Sequence, residues 1–187
     1  DNAYQSKMQH GTDIINNNLP DAIFTPQLVK AIEVETDYKK FENHVYYLLK
    51  AIGINDIIRF QQEHQAGKAD GLFEFGSLAV LYDATLSRNF VDNKEVQIDN
   101  YCAQLEGPIT YENITFNVHR KPHKMVWIVT RNRGELFVEE RGSISVREIP
   151  VSRLVDVFYK RYRQEIYREQ DLELDLLSFL KPLRGSL

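Results

Sequence analysis

The chain has 187 residues, of which 43% are hydrophobic and 27% charged, a balance typical of an ordinary globular protein that most simply forms one domain over residues 1–187. Its longest apolar runs are only as long as a strand, which excludes a transmembrane helix. The formal net charge of −4 argues against a protein that grips nucleic acid alone, because phosphate binding calls for a surplus of Lys and Arg.

Cys102 is the only cysteine, which excludes an internal disulfide and favours a reducing, cytoplasmic setting. It lies within a helical pattern, so a packing role is favoured over a nucleophilic one. The chain starts at Asp1 without the basic and apolar run of a secretory leader. We therefore expect a cytoplasmic protein without a membrane partner.

The first predicted elements are a polar arm and two helices. Residues 1–20 are polar and are expected to form a loosely held arm. Residues 25–32 form a short predicted helix, since Thr-Pro is a suitable N-cap and first helical position. A stronger helix runs from Asp37, a good N-cap, to Gly53, a good C-cap, because apolar residues recur at helical spacing between them.

A strand at 57–60 precedes a predicted β-hairpin. Asp70-Gly71 is expected to open the hairpin as a turn, and Gly76-Ser77 separates its two apolar runs. The second run, Leu78 to Tyr82, is too apolar to face water and ends on Asp83. A carboxylate at the end of a buried strand is costly unless a charged group meets it, and a divalent cation is the group we expect there.

The later elements alternate between helix and strand. The patterns predict a helix at 94–105, strands at 114–118, 125–130 and 144–149, and helices that start near residues 152 and 171. The strand at 125–130 is expected at the centre of a sheet and the strand at 144–149 half exposed. This order predicts an α/β fold in which a mixed central sheet is flanked by helices.

The C-terminal helices within residues 151–187 form a candidate partner-binding region. Leu172, Leu176 and Leu180 recur there at helical spacing. They either extend past the core toward a partner or pack inside the core, and the core role is favoured.

Basic residues cluster at 119–124, 131–133 and 160–163, and the first two clusters flank the predicted central strand. These two are candidates for contacts with a DNA backbone, and solvated loops are the alternative. Nothing in the sequence resembles a recognition helix, a zinc finger or a basic region that would read bases. The five histidines lack metal-ligand spacing. His44 and His64 are candidate general bases, with an exposed or core role as the favoured alternative. A DNA-directed function would therefore need a partner to read the sequence.

Asp70 and Asp83 are candidate metal ligands. Their separation alone carries little weight, because 27 residues are acidic, and each has a structural alternative as a turn residue or a strand cap. An Asp that opens one strand and an Asp that closes its partner can, however, converge on one end of a sheet. Two carboxylates with a backbone carbonyl and waters form an all-oxygen site suited to Mg²⁺, which can polarise a phosphodiester and lower the pKa of the attacking water.

The segment Lys68 to Thr85, with its Lys-Ala-Asp-Gly, Gly-Ser and Asp-Ala-Thr motifs, resembles the PD-(D/E)xK nucleases and in particular the FokI-like cleavage domain of type IIS restriction enzymes. The similarity covers roughly residues 38–160, with clear motifs only between 68 and 85. A chain of this length is most similar to the small catalytic subunits of heterodimeric type IIS endonucleases. The resemblance implies a bacterial protein with a restriction-endonuclease-like core, double-stranded DNA as substrate and a large, nickase-type recognition subunit as partner.

The resemblance also implies roles for individual residues. Asp70 and Asp83 would bind Mg²⁺, with Mn²⁺ as a substitute, and Ala84 would offer its backbone carbonyl. Many members add a Glu from the preceding helix, and Glu42 is the candidate here, with a solvated surface role as its alternative. Weaker candidates for the same role are Glu33 and Glu35.

Thr85 stands where the family usually has a lysine that orients the water and offsets charge on the phosphate. A threonine hydroxyl can hydrogen-bond the water but supplies no cation. Lys94 and Lys68 are candidates to supply that cation, and Gln97 is a candidate to position the water. The alternative for both lysines is a solvated surface position.

These features support three hypotheses. The first is a Mg²⁺-dependent endonuclease subunit that hydrolyses one DNA strand and depends on a partner for sequence recognition. The second is a catalytically inactive nuclease-fold subunit that acts in DNA clamping or complex assembly, which Thr85 favours. The third is a small domain with no nucleic-acid role, in which Asp70 and Asp83 are structural.

Overall fold

A computed structural model describes residues 26–60, 68–87, 90–131 and 137–181. The predicted arm at 1–20, His64 and Arg133 lie outside the described residues. The α-helices of the described part are α1 (Gln27–Val34), α2 (Tyr38–Ala51), α3 (Phe90–Leu105), α4 (Val151–Arg163) and α5 (Glu169–Leu177). The strands are β1 (Ile57–Arg59), β2 (Gly71–Phe75), β3 (Leu78–Thr85), β4 (Ile109–Tyr111), β5 (Ile114–Phe116), β6 (His123–Thr130), β7 (Val138–Arg141) and β8 (Ile144–Pro150).

The central sheet has six strands in the order β1-β2-β3-β6-β8-β7. Its inner strands β3, β6 and β8 run parallel, whereas β1, β2 and β7 add antiparallel pairs at the two sides. Strands β4 and β5 form a separate hairpin. The predicted α/β fold with a mixed central sheet flanked by helices is confirmed.

Helices cover both faces of the sheet. On one face, which we call the α2 face, Val45 of α2, Leu154 of α4 and Trp127 of β6 belong to one buried apolar cluster. On the other, the α3 face, Ile98 of α3 packs with Val126 of β6. Because each fully buried apolar side chain contributes about 1.5–3 kcal/mol, these two cores hold the helices firmly against the sheet.

Helix α2 begins and ends as the sequence predicts. The Asp37 carboxylate accepts a hydrogen bond from the Lys40 N–H at 3.0 Å, which caps the first turn. Gly53 follows the helix with a φ of 104°, a left-handed conformation that glycine adopts without strain. Both caps therefore act as expected.

Strand β8 is buried along its whole length, so the prediction of a half-exposed strand is wrong. Strands flank it on both sides and its two charged residues are held by internal hydrogen bonds. The Arg147 guanidinium donates to the Leu180 carbonyl at 2.8 Å, and Glu148 Oε1 accepts from the Thr130 hydroxyl at 2.8 Å. Alternation of apolar and charged residues misled the prediction because the charges are paired inside rather than solvated.

Other boundaries also differ from the predictions. Helix α3 starts at Phe90 rather than at Lys94, and the strand predicted at 114–118 ends at Phe116 before a short 3-10 helix. Strands β4 and β7 were not predicted. Glu112 and Asn113 join β4 to β5 with φ values of 47° and 67°, the geometry of a two-residue hairpin loop. No helix in the described part of the chain is long and apolar enough to cross a membrane.

Candidate active site

The parallel strands end in register at Thr85, Thr130 and Pro150, and these ends form one edge of the sheet, which we call the carboxyl edge. Side chains alternate along β3, and Tyr82 belongs to the core of the α2 face. Asp83 and Thr85 therefore point to the α3 face. Asp83 is only 6% exposed, so its carboxylate lies inside the protein beside this edge.

Asp70 precedes β2 at the same edge. Its backbone N–H donates to the Tyr82 carbonyl at 2.9 Å, so the pairing of β2 with β3 continues through Asp70. The prediction of a turn at Asp70-Gly71 is therefore wrong. Asp70 Oδ2 accepts a hydrogen bond from the Ala84 N–H at 2.7 Å, and this bond holds the carboxylate beside Asp83.

Gly71 is required by close packing rather than by a turn. A Cβ at this position would lie 2.3 Å from the Ile58 carbonyl oxygen and 2.5 Å from the Tyr82 hydroxyl. The carbonyl belongs to a neighbouring strand and cannot move cheaply. A glycine therefore follows Asp70 because the Tyr82 ring packs closely against the backbone at position 71.

The Asp70 carboxylate is electrostatically unfavourable in this position. Its pKa is raised to about 8, first by burial and then by the neighbouring charges of Asp83 and Glu42, against the lowering effect of the Ala84 N–H and Lys94. Burial, and after it the Asp70 charge, raises the pKa of the Tyr82 phenol. Asp83 and Glu42 therefore both disfavour a negative charge on Asp70.

The metal-free protein is expected to lose stability as the pH rises from about 4 to about 8, because folding keeps a proton on Asp70 that the unfolded chain has already lost. Asp70→Asn removes this charge, while its amide oxygen can still accept from the Ala84 N–H. We expect the variant to be more stable than wild type at about pH 8, by on the order of 1–3 kcal/mol, and similar at about pH 4. Urea unfolding in EDTA across this range measures the difference.

The control for this experiment is Asp56→Asn, which removes an exposed carboxylate. This variant should follow the wild-type pH dependence of stability. If the stability of wild type and that of Asp70→Asn changed equally with pH, the Asp70 carboxyl could not be buried and repelled by neighbouring negative charges as described.

Helix α3 holds both oxygens of Asp83. The Lys94 ammonium donates to Oδ2, and the Tyr101 hydroxyl lies 3.4 Å from Oδ1. The same hydroxyl lies 3.1 Å from the Lys68 carbonyl. Burial raises the pKa of Asp83, while the charge and hydrogen bond of Lys94 lower it. Of the two lysines considered from the sequence, the structure thus brings Lys94 to the carboxylates, whereas the Lys68 side chain is exposed.

Thr85 ends β3 and Gln97 lies on α3, and neither has a described hydrogen bond to Asp70 or Asp83. The Thr85 hydroxyl oxygen accepts from the Ser87 N–H at 3.2 Å, so one of its hydrogen-bonding positions is used by the backbone. Gln97 is half-buried on α3, one turn after Lys94. Neither supplies a cation to replace the missing lysine.

Among the acidic residues near α2, Glu42 is the one whose charge reaches Asp70. Glu33 is exposed on α1. Glu35 caps the backbone ahead of α2, where its Oε1 accepts from the N–H groups of Thr36 and Asp37 at 2.9 Å each. His44 Nδ1 lies 3.8 Å from Glu35, so His44 is directed toward this cap.

Arg131 and the basic cluster at 119–124 lie at opposite ends of the sheet. Arg131 follows β6 at the carboxyl edge, and its guanidinium donates to the Glu35 carbonyl. The cluster at 119–124 lies at the other end, since His123 pairs with Leu78. Leu78 is about 17 Å along β3 from Asp83. Of the described residues of these two clusters, Arg131 is therefore the one at the carboxyl edge.

The residues at the carboxyl edge suit a magnesium ion. Within the described ranges, no three or more His, Cys, Asp or Glu side chains form a metal-binding group, so a site made entirely of protein ligands is not present there. Mg²⁺ in nuclease-type sites needs only one or two carboxylates, with waters and phosphate oxygens completing the shell. Asp70 and Asp83 supply those carboxylates, and a cation would offset their repulsion.

Two buried tyrosines at the carboxylates were not singled out from the sequence. Tyr101 is 1% exposed and reaches Asp83, and Tyr82 is 1% exposed and lies behind Asp70. Lys94 and Tyr101 are seven residues apart on α3 and so share a helix face, a spacing that could have linked them. No sequence spacing indicates the position of the Tyr82 hydroxyl, because that position depends on Gly71 of the neighbouring strand β2.

No family model and no curated protein sequence matches this chain. Among solved structures, the chain is similar to the small subunit of the heterodimeric restriction endonuclease R.BspD6I, with a TM-score of 0.57 and 13% sequence identity. The match covers 81% of this chain and 85% of that subunit. At this identity the likeness establishes the fold, and the restriction-endonuclease-like core predicted from the sequence is confirmed.

Proposed function

We propose that this chain is the cleaving subunit of a type IIS restriction endonuclease, which hydrolyses one strand of double-stranded DNA while a nickase-type partner recognises the sequence. The observation that carries the proposal is the meeting of Asp70, Asp83 and Lys94 at the carboxyl edge of a restriction-endonuclease-like sheet. Two acids and a cation in a desolvated setting are the groups that phosphodiester hydrolysis needs.

The proposed cofactor is Mg²⁺, with Mn²⁺ as a substitute. Asp70 and Asp83 would hold the ion, and the Glu42 carboxylate and the Ala84 backbone carbonyl are the further candidate ligands. A bound Mg²⁺ would polarise the phosphodiester and lower the pKa of the attacking water. The raised pKa of Asp70 supports this assignment, because a carboxylate that repels its neighbours gains most from a cation.

The chain's own residues would then complete the reaction. Lys94 supplies the positive charge that Thr85 lacks, and its ammonium offsets charge that develops on the phosphate. Gln97, one turn further along α3, is the candidate to position the water. In the hydrolysis, water adds to phosphorus, the bond from phosphorus to the 3′ oxygen breaks, and a proton passes to the leaving oxygen.

Three observations support a partner subunit. The similar structure belongs to a heterodimeric enzyme, and the net charge of −4 leaves this chain poorly equipped to hold DNA alone. Leu172 and Leu176 are buried in the core and so cannot form a partner surface. Large apolar side chains that remain exposed in the C-terminal region are Tyr162, Ile166 and Leu174.

The proposed partner surface lies away from the carboxylates. Glu173 of α5 accepts hydrogen bonds from the Ser77 N–H at 2.7 Å and the Ser77 hydroxyl at 2.6 Å. Ser77 precedes β3, at the end of the sheet opposite the carboxyl edge. A partner on this helix would leave the carboxylates open to DNA.

The proposal can be tested without the natural partner. The full chain is joined by a flexible Gly/Ser linker to an unrelated zinc-finger module, which supplies DNA binding and a high local concentration of the target. We expect Mg²⁺-dependent nicks in one strand near the finger site of a supercoiled plasmid, mapped strand by strand. The Asp70→Asn fusion is the control. Nicking no higher than this control in Mg²⁺ and in Mn²⁺ would refute the proposed activity.

The second candidate function is a catalytically inactive nuclease-fold subunit that clamps DNA or assembles a complex. It is favoured by Thr85, which occupies the position of the motif lysine. Its hydroxyl oxygen accepts a backbone N–H, and Lys94 neutralises Asp83 as a structural ion pair would. An inactive subunit of this kind should show no binding of Mg²⁺ or Mn²⁺ that depends on Asp70. Metal titration by calorimetry therefore separates the two functions.

A further inference from the structure

We propose that Tyr101 is a positioning residue for the metal site. Its hydroxyl ties the Asp83 carboxylate to the backbone that leads into Asp70, and it thereby sets the separation of the two acids. The inference rests on the proposed function, because it concerns how the same two carboxylates are held. It adds a residue that the motif resemblance does not include.

The Tyr101 hydroxyl lies between two acceptors. It is 3.1 Å from the Lys68 carbonyl oxygen and 3.4 Å from Asp83 Oδ1. A phenol has one proton to donate, and both distances exceed the usual O–H···O separation of about 2.7–2.8 Å. The hydroxyl can therefore donate to either the backbone before Asp70 or the Asp83 carboxylate, in a geometry that can tighten when a ligand orders the site.

Two residues of helix α3 contact the Asp83 carboxylate. Lys94 contacts Oδ2 and Tyr101 faces Oδ1, so both oxygens are oriented from one rigid element. Lys68 is two residues before Asp70, so the same hydroxyl also limits where Asp70 can move. Metal sites depend on such supporting contacts, and loss of one typically costs about 10–100-fold in metal affinity or activity.

Core packing alone does not explain a hydroxyl at position 101. Phenylalanine would fill nearly the same volume, and a buried hydroxyl costs about 1–3 kcal/mol unless it is hydrogen-bonded. Tyr82 provides the internal comparison, because it is equally buried and lies at the same pair of acids from the other face. Its hydroxyl has no hydrogen-bond partner among the described residues. The two tyrosines thus differ in the hydrogen bonds that their hydroxyls make.

The test compares Tyr101→Phe with Tyr82→Phe in the full chain, with MnCl2 as the calorimetric probe and no DNA present. We expect Tyr101→Phe to bind Mn²⁺ about 10–100-fold more weakly than wild type, and Tyr82→Phe to stay within about twofold. Wild-type affinity in Tyr101→Phe would overturn the inference, even if its melting temperature falls. If the wild-type chain itself binds no Mn²⁺, the proposed function fails and the inference falls with it.

A second measurement covers the case in which Tyr101→Phe does not fold. 3-Fluorotyrosine incorporated at position 101 retains the hydroxyl, and its ¹⁹F resonance should move on addition of MgCl2. The same label at Tyr162, which is 77% exposed, should give no shift. A resonance at position 101 that is unchanged at saturating Mg²⁺ would also overturn the inference.

Discussion

Asp83→Asn and Asp70→Asn are each expected to lower DNA cleavage by on the order of 10³-fold or more. A metal ion at a phosphodiester supplies several kcal/mol of transition-state stabilisation, and each 1.36 kcal/mol corresponds to about a factor of ten in rate. Asparagine keeps the size of the side chain and one acceptor oxygen, so the Ala84 N–H bond to position 70 can persist. The zinc-finger fusion assay with Mg²⁺ measures the loss, and Asp156→Asn, an exposed carboxylate on α4, is the control.

The two substitutions should differ in their effects on stability. Asp70→Asn relieves the repulsion from Asp83 and Glu42, so the variant should lose activity while the metal-free protein gains stability at about pH 8. Asp83→Asn instead removes the acceptor charge of Lys94 and should be destabilising. A carboxylate whose removal stabilises the protein is kept for function, as is typical where activity and stability conflict. Wild-type cleavage by either variant would refute the assignment of these acids as metal ligands.

The parts of the fold that were predictable have local signals. Helix α2 has Asp37 as an N-cap and Gly53 after its end, and each acts through a contact or dihedral angle that its own residue type favours. Strands β3 and β6 are continuous apolar runs, which is typical of parallel strands buried on both faces. By contrast, β8 alternates like a half-exposed strand because Arg147 and Glu148 find partners inside the protein, which no local pattern can indicate.

In the candidate site, too, some residues could be predicted from the local sequence pattern, whereas others depend on contacts with distant parts of the chain. Asp70 and Asp83 could be proposed from the hairpin, because a strand end and the residue before the neighbouring strand fall at one edge. Lys94 could only be one candidate among several, since the start of α3 was predicted four residues too late and its orientation depends on packing against β3 and β6. Gly71 was assigned to a turn, although its role depends on the Tyr82 ring of another strand.

Lys94→Met is expected to reduce cleavage by about 10²–10³-fold, the effect typical of losing one preorganised group that stabilises developing charge. The ammonium is the nearest described cation to the carboxylates, and Thr85 offers no substitute for it. Lys68→Met is the control, because Lys68 is the other lysine near Asp70 but its side chain is exposed. Wild-type cleavage by Lys94→Met would exclude Lys94 as the replacement for the missing lysine.

Lys94→Met should also lower the stability of the metal-free protein and increase the stabilisation that Mg²⁺ provides. In the metal-free protein, Lys94 neutralises an Asp83 side chain that is 8% exposed, so Lys94→Met leaves a buried carboxylate unpaired and should lower stability by roughly 1–3 kcal/mol. Because Lys94 also competes with the ion for Asp83, Mg²⁺ should stabilise Lys94→Met more than it stabilises wild type. Melting temperatures in EDTA and across a MgCl2 titration measure both effects.

A lysine restored at the motif position separates a catalytic role from a structural one. In Lys94→Met combined with Thr85→Lys, the new ammonium would extend from β3 toward the same α3 face as Asp83. If Lys94 acts on the phosphate, this double variant should recover part of the lost cleavage, because the cation returns to the same edge from another element. Recovery of stability without any recovery of cleavage would instead identify Lys94 as a structural partner of Asp83, as expected for an inactive subunit.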